Sequence, residues 1–259
     1  METRFLTKEE LLKLDKEGYE ILEYIGSGKT REVYRVLFKK GPKKERRILK
    51  IPKNEIEDSI QAKINEYRRD TNENEVSSSN DLKHPNIAYI IDSFRINGKI
   101  AVIEEDFNAS SLEDKVLTNG PLDKKQFSNV FSQIIDAMSY LNNEKRMTHR
   151  DIKPSNVLIG NVGENETAKL TDFQLSKGLE DILVQDIPTR GGASFTHPDL
   201  LNSIITDKKS RASLKTEVYS LGATMYFALT GKSLFNYCLL YTSDAADELD
   251  GVDLGGRRI

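Results

Sequence analysis

The stretch His149-Arg150-Asp151-Ile152-Lys153-Pro154-Ser155-Asn156 decides how this chain of 259 residues is read. It sets a carboxylate (Asp151), an ammonium (Lys153) and a carboxamide (Asn156) within six residues. Before it, residues 123–142 carry Phe127, Val130, Phe131, Ile134, Ile135, Met138 and Leu141 at helical spacing, which predicts a buried helix. After it, residues 157–160 and 168–171 predict two short strands about a polar Asn/Gly/Glu turn. Asp172-Phe173 follows the second strand, twenty-one residues beyond Asp151. The polar residues therefore lie on one loop after a buried helix, with a further carboxylate downstream.

Working outward, residues 6–17 read as an amphipathic helix. Thr7 and Glu10 form a capping box, Leu11, Leu12 and Leu14 give the apolar face, and Gly18 stops it. From Tyr19 to Leu37 the period falls to two, predicting a hairpin through a glycine-containing turn. Residues 46–52 make a third strand, which Pro52 closes. Residues 55–80 predict a helix through Ile56, Ile60, Ile64 and Tyr67, and strands at 87–94 and 99–104 meet at an Asn97-Gly98 turn. Residues 173–212 lack a clear period, and 214–230 predict another buried helix. The order is a β-rich lobe and then a helical lobe, an α+β fold with a cleft between them.

Composition removes several function classes. With 37% hydrophobic and 31% charged residues the chain can build a core, and its mixed charge does not suit a disordered tail. A formal charge of −3 argues against nucleic acid as a partner. No apolar run approaches the ~20 residues of a membrane span, and Leu221 to Leu229 is too short. The N-terminus carries no signal-peptide pattern. A single cysteine, Cys238, excludes a disulfide framework and a cysteine-based zinc site. A cytoplasmic protein is expected, with the nucleus also open to it.

Gly26-Ser27-Gly28-Lys29-Thr30 ends like a Walker A loop, but the glycine needed five places before Gly28 is Glu23, and a strand follows instead of a helix. A glycine-rich strand–turn–strand fits better, with backbone N–H groups open to phosphate. Together with the loop at 149–156, Asp172-Phe173 and a strand lysine at Lys50, this resembles the eukaryotic protein kinases of the Ser/Thr type, from about Tyr19 to Phe235. The resemblance implies a two-lobe kinase fold: an N-terminal helical extension (1–17), an N-lobe (18–107) and a C-lobe (108–237) incomplete at its end.

It also implies roles. Asp151 would accept or orient the proton of a substrate hydroxyl, and Lys153 would neutralise the moving phosphoryl group. Asn156 and Asp172 would be the oxygen ligands of Mg²⁺, held jointly with ATP phosphates. Lys50 would hold the α- and β-phosphates with a carboxylate partner from the 55–80 helix. Anchoring the count on His84-Pro85-Asn86 selects Glu75, with Glu73 and Glu66 as competitors. Gly26, Ser27 and Gly28 would cradle phosphates, Val33 would cover the adenine face, and the hinge at Glu105 to Phe107 would pair with its edge through backbone groups. Glu104 stands just before that hinge, at the gatekeeper position. The partner would be a protein Ser/Thr hydroxyl. Arg150 suggests control by activation-segment phosphorylation, with Thr189 the first acceptor and Ser194 the second.

The pattern departs from the family in places. Arg31 replaces the third loop glycine, Ile48 an alanine, Gln174 the glycine of Asp-Phe-Gly, and Ser79 an apolar helix position. Gly192 stands for a threonine, His197-Pro198-Asp199 for Ala-Pro-Glu, and Glu217 for a buried aspartate, the last two acids keeping their charge. The alternatives are a pseudokinase scaffold that binds nucleotide weakly or not at all, or an inactive fragment. Residues 238–248 and 252–259 can be back-translated to the two ends of a sequencing-library adapter, so native sequence is expected to end near Tyr237. That tail holds five acids (Asp244, Asp247, Glu248, Asp250, Asp253) and two bases (Arg257, Arg258), which accounts for the whole net charge.

Overall fold

A computed structural model describes residues 6–27, 31–40, 43–53, 82–172, 177–178, 192–201 and 213–235. The expected 55–80 helix with Glu75 and Ser79, along with Gly28, Gln174, Thr189 and the tail 238–259, lies outside the described residues.

Helix α1 (Lys8–Glu17) starts where the capping box requires. Thr7 accepts the Glu10 N–H, and the Glu10 side chain accepts the Thr7 N–H. Gly18 ends it in a left-handed conformation (φ 93°) open mainly to glycine. Five antiparallel strands follow in the order β1-β2-β3-β5-β4. They are β1 (Tyr19–Ser27), β2 (Arg31–Phe38), β3 (Glu45–Pro52), β4 (Ile90–Ile96) and β5 (Lys99–Glu105). Asn97 (φ 48°) and Gly98 (φ 84°) make the tight β4–β5 turn. β4 begins three residues later than expected, because Ile87 forms a parallel bridge to Leu170 and leaves the ladder with β5 to Ile90.

Strand alternation sorts this sheet into two faces. Tyr34, Val36, Leu49, Ile51 and Ile103 are buried with Leu14 of α1, so α1 covers the outer face. Leu12, expected on the apolar face, is instead 64% exposed, and the polar Glu10 is buried, held by its capping bond and 3.6 Å from Lys99. Leu14→Ala should cost about 3 kcal/mol, read as a lowered urea midpoint, whereas Leu12→Ala should stay within about 0.5 kcal/mol of the parent.

The second lobe is built on α2 (Leu112–Asn119), α3 (Lys124–Ser139) and α4 (Leu214–Thr230). Asp123 and Ser213 cap α3 and α4 with their own capping boxes. α3 passes into a wider turn over Tyr140–Glu144, three residues short of the expected end. Val130, Phe131, Ile134, Met138 and Leu141 are buried, but Ile135 is exposed, because a 16-residue surface helix buries one face only. Short strands β6 (Ser110–Ser111), β8 (Val157–Val162) and β9 (Asn165–Leu170) form one sheet, and β7 (Met147–Thr148) pairs with β10 (Lys177–Gly178). The two lobes meet where Ala88 donates its N–H to the Leu170 carbonyl at 2.8 Å, and the site is built around that junction.

Candidate active site

Arg150 holds a left-handed backbone (φ 72°), a conformation that a bulky residue keeps only when its surroundings impose it. Glu217 of α4 imposes it: its Oε1 accepts the Arg150 N–H at 2.7 Å, and the carboxyl also accepts from the His149 backbone. Burial raises the Glu217 pKa to about 7, the two backbone bonds and the Arg150 charge offsetting only part of that. Glu217 thus takes the anchoring place expected of it, but near pH 7 it carries only about half of its charge.

This has a measurable sign. The folded chain binds the Glu217 proton more tightly than the unfolded chain, whose value is near 4.5. The contribution is full below pH 4.5 and is lost as pH rises through 7. Stability should fall by on the order of 3 kcal/mol over that window through this group. Glu217→Gln should remove that slope, so the difference between variant and parent widens from pH 5 to 8 in urea titrations. Parallel profiles would contradict it.

His149 is fully buried. Its Nδ1 accepts the Asp151 N–H at 3.3 Å, so Nε2 carries the proton and donates to the Thr171 carbonyl at 2.9 Å. Burial lowers its pKa against the pull of Asp151 and that carbonyl, keeping the ring neutral. Asp151 turns Oδ2 toward two donors, Lys153 Nζ at 2.5 Å and Asn156 Nδ2 at 2.9 Å. Asn156 Nδ2 also donates to the Asp151 carbonyl at 2.7 Å. Among the described residues the carboxylate is thus held through this one oxygen.

Thr171 joins the loop to the sheet. Its N–H donates to the Asn156 carbonyl at 3.0 Å, and its hydroxyl accepts from Lys50 Nζ and donates to Glu104 Oε2, both at 2.9 Å. Asp172 comes next, again with a left-handed backbone (φ 72°). Burial alone would raise its pKa. The positive charges of Lys50, Arg31 and Lys153 outweigh that and hold it below the usual carboxylate value. Arg31, in place of a loop glycine, thus puts a cation where it acts on Asp172.

Lys50 of β3 pairs with Glu104 Oε1 at 2.9 Å and stands 4.0 Å from Asp172. Sequence reasoning placed Glu104 beside the hinge but missed this bond. The signal was strand parity: Ile48 faces Glu104 and Lys50 faces Val102 across β3 and β5, so both charged residues share one face. Val33 pairs with Lys50 across β2 and β3, which puts it on that face too.

The hinge is braced from both lobes. The Glu105 side chain pairs with Lys169 at 2.6 Å, Asp106 pairs with Arg35 at 2.6 Å, and Lys169 lies over the Phe107 ring. The Glu105 N–H donates to the Tyr89 carbonyl, so any ligand contact from its backbone falls to its own carbonyl. At the end of β1, Ser27 Oγ donates to Glu32 Oε1 at 3.1 Å. A Cβ on Gly26 would meet nothing within 4 Å, so the protein's own packing does not demand a glycine there, and the space beside it is open. Ser194, expected as a second phosphorylation site, is 7% exposed.

Among the described residues no group of three or more His, Cys, Asp or Glu is arranged to hold a metal ion. The fitting donors are fewer: the Asp172 carboxylate and Asn156 Oδ1, whose amide nitrogen is already committed to Asp151. One carboxylate and one carbonyl oxygen suit a hard cation that takes its other ligands from phosphates and water.

The chain matches a family model described as protein kinase domain over residues 19–246, a span that starts at β1 and passes residue 237. It is 29% identical over 174 residues to serine/threonine-protein kinase PrkC of Bacillus subtilis, covering 67% of this chain and 24% of that protein. It is 32% identical over 166 residues to CBL-interacting protein kinase 21 of Oryza sativa subsp. japonica, covering 62% and 30%. Mitogen-activated protein kinase kinase 2 of Arabidopsis thaliana is 29% identical over 173 residues, covering 67% and 45%. The chain spans less than half the length of each of these relatives, and about a quarter of the first.

Proposed function

The chain belongs to the protein kinase domain family, and from that premise we propose that it transfers the γ-phosphoryl group of ATP to serine or threonine hydroxyls of proteins with Mg²⁺. One observation carries the reading: Asp151 is fixed through Oδ2 by Lys153 and Asn156, and among the described residues no side chain is bonded to its other oxygen. A group that must orient a nucleophile needs that combination of rigidity and one open lone pair.

Bound Mg²⁺ would be held by Asp172 and Asn156 and would neutralise charge on the nucleotide phosphates. Lys50 binds the α- and β-phosphates through its ammonium, which Glu104 and Thr171 hold in place. Asp151 orients the substrate hydroxyl and takes its proton as that oxygen bonds to the γ-phosphorus and the bond to the ADP oxygen breaks. Lys153 sits beside Asp151 and neutralises charge on the moving phosphoryl group. Gly26 and Ser27, with Gly28 beyond the described residues, lie along the phosphates, and Val33, Glu105 and Phe107 frame the base. The Glu75–Lys50 pairing implied by the family pattern falls outside the described residues. Among the described residues no helix is long and apolar enough to cross a membrane, and we place the reaction in the cytoplasm.

The scaffold reading is separated by two measurements on one sample. Thermal unfolding with Mg·ATP, compared with ATP in excess chelator, should show stabilisation that needs the cation. Labelled phosphate should then appear in Ser/Thr peptides. Stabilisation without transfer would favour a nucleotide-binding scaffold.

A further inference from the structure

We propose that the exposed side of α1 and the turn from β2 to β3 form one cationic surface that docks on a lipid bilayer carrying anionic headgroups. The proposal goes beyond the reaction at Asp151 and needs neither ATP nor phosphoryl transfer. The family match begins at residue 19, so α1 is an addition to the shared domain. One side of α1 is used on the sheet through Leu14. The other side faces outward beside the β2–β3 turn.

Positive charge gathers there. Residues 39–47 hold six basic side chains and one acid, in a chain whose formal net charge is −3. Lys39, Lys40, Lys43, Lys44 and Arg46 are exposed. Lys40 ties the turn to the helix: its Nζ donates to the Lys16 carbonyl at the end of α1, and its methylenes lie across Gly18, where a Cβ would meet them at 2.6 Å. The helix end and the turn are therefore one surface. Most acids nearby are already matched. Glu17 pairs with Lys13 at 2.8 Å, Glu45 with Arg47 at 3.2 Å and Glu20 with Lys39 at 2.9 Å, and the Asp15 charge also falls on Lys39. Glu9 lies in the first turn of α1, at the opposite end of the helix. Among the described residues Lys16, Lys43 and Lys44 make no ion pair.

An apolar side chain stands in the same surface. Leu12 is 64% exposed, with exposed Lys8 and Lys16 one turn away on either side. A lone exposed leucine is ordinary. Set among unmatched lysines, it joins the two attractions, apolar and electrostatic, that hold a protein on a bilayer surface. Lysine is a compact point charge on a flexible stem, which suits a fluid layer of headgroups, whereas reading one particular carboxylate or phosphate favours the arginine fork. An acidic peptide or a nucleic acid would use the lysines and leave Leu12 without a role. Docking this way leaves the cleft open, because α1 covers the outer face of the sheet while Val33 and Lys50 lie on the other.

Co-sedimentation of the 259-residue chain with vesicles of phosphatidylcholine containing about 30% phosphatidylserine tests this. The chain should bind these vesicles in about 0.1 M salt, come off in about 0.5 M salt, and ignore vesicles of phosphatidylcholine alone. Each lysine at such a surface is worth about fivefold in binding, so Lys43→Glu with Lys44→Glu should lower it by about 25-fold or more. Lys124→Glu with Lys125→Glu, at the exposed start of α3, makes the same change in net charge and should lower it by less than about twofold. Leu12→Ala should weaken binding by about fivefold while folding stays as in the parent. No binding by the parent, equal binding to both kinds of vesicle, equal losses in the two charge-reversed pairs, or parental binding by Leu12→Ala would each overturn the proposal. Binding to poly-glutamate or duplex DNA with none to the vesicles would overturn it in favour of a soluble polyanion.

Discussion

Asp151→Asn should lower phosphoryl transfer by about 10²–10⁴-fold, the usual scale for losing a positioned acid–base group. The local geometry says how. Lys153 and Asn156 both present donors to Oδ2, so the new amide will turn its oxygen toward them and its NH₂ toward the cleft. A donor then faces the substrate hydroxyl where an acceptor is needed. The proton has nowhere to go, and the hydroxyl is held with the wrong polarity. Lys50, Asp172 and Asn156 Oδ1 are untouched, so Mg·ATP should still stabilise the variant against heat. Loss of binding along with transfer would show that Asp151 does something other than handle the hydroxyl.

Glu104→Ala should be the most destabilising single change at the site, by about 3–5 kcal/mol, the range for stranding a buried charge. Its cost includes a Lys50 ammonium that loses its 2.9 Å carboxylate and a Thr171 hydroxyl proton that loses its acceptor. Lys50→Met should cost less, because the carboxylate keeps the Thr171 bond. The double variant Glu104→Met with Lys50→Met should recover most of the Glu104→Ala loss, since apolar groups of similar size can replace a buried pair at little cost. Urea unfolding of Glu104→Met, Lys50→Met and the double closes the cycle. Losses that simply add would mean that the two side chains do not depend on each other.

Local signals in the sequence were strong wherever one residue decides the backbone. Thr7 with Glu10 started α1, Gly18 stopped it, Asn97-Gly98 turned β4 into β5, and the run ending in Thr230 matched α4. The loop carrying Asp151 was legible because its three polar groups serve one another within eight residues. What spacing could not supply was pairing across distant strands. Ile87 spends its backbone on Leu170 instead of β5, and Glu10 is buried where Leu12 is not because it lies one turn from Leu14, on the face that α1 turns to the sheet. The Glu104–Lys50 bond spans 54 positions and is fixed by strand register, so only two aligned strands reveal it. Glu217 was expected to keep its charge, but depth in the fold, which residue type does not record, moves it halfway to neutral at pH 7.

The central claim is that the loop at Asp151 transfers phosphate. Incubating the chain and its Asp151→Asn variant with γ-labelled ATP, Mg²⁺ and a mixed Ser/Thr peptide pool tests it most directly. The account predicts label on serine or threonine with the parent chain, loss of nearly all of it with the variant, and none with either when Mg²⁺ is chelated. Equal labelling by parent and variant, or Mg·ATP binding by the parent with no label at all, would contradict it.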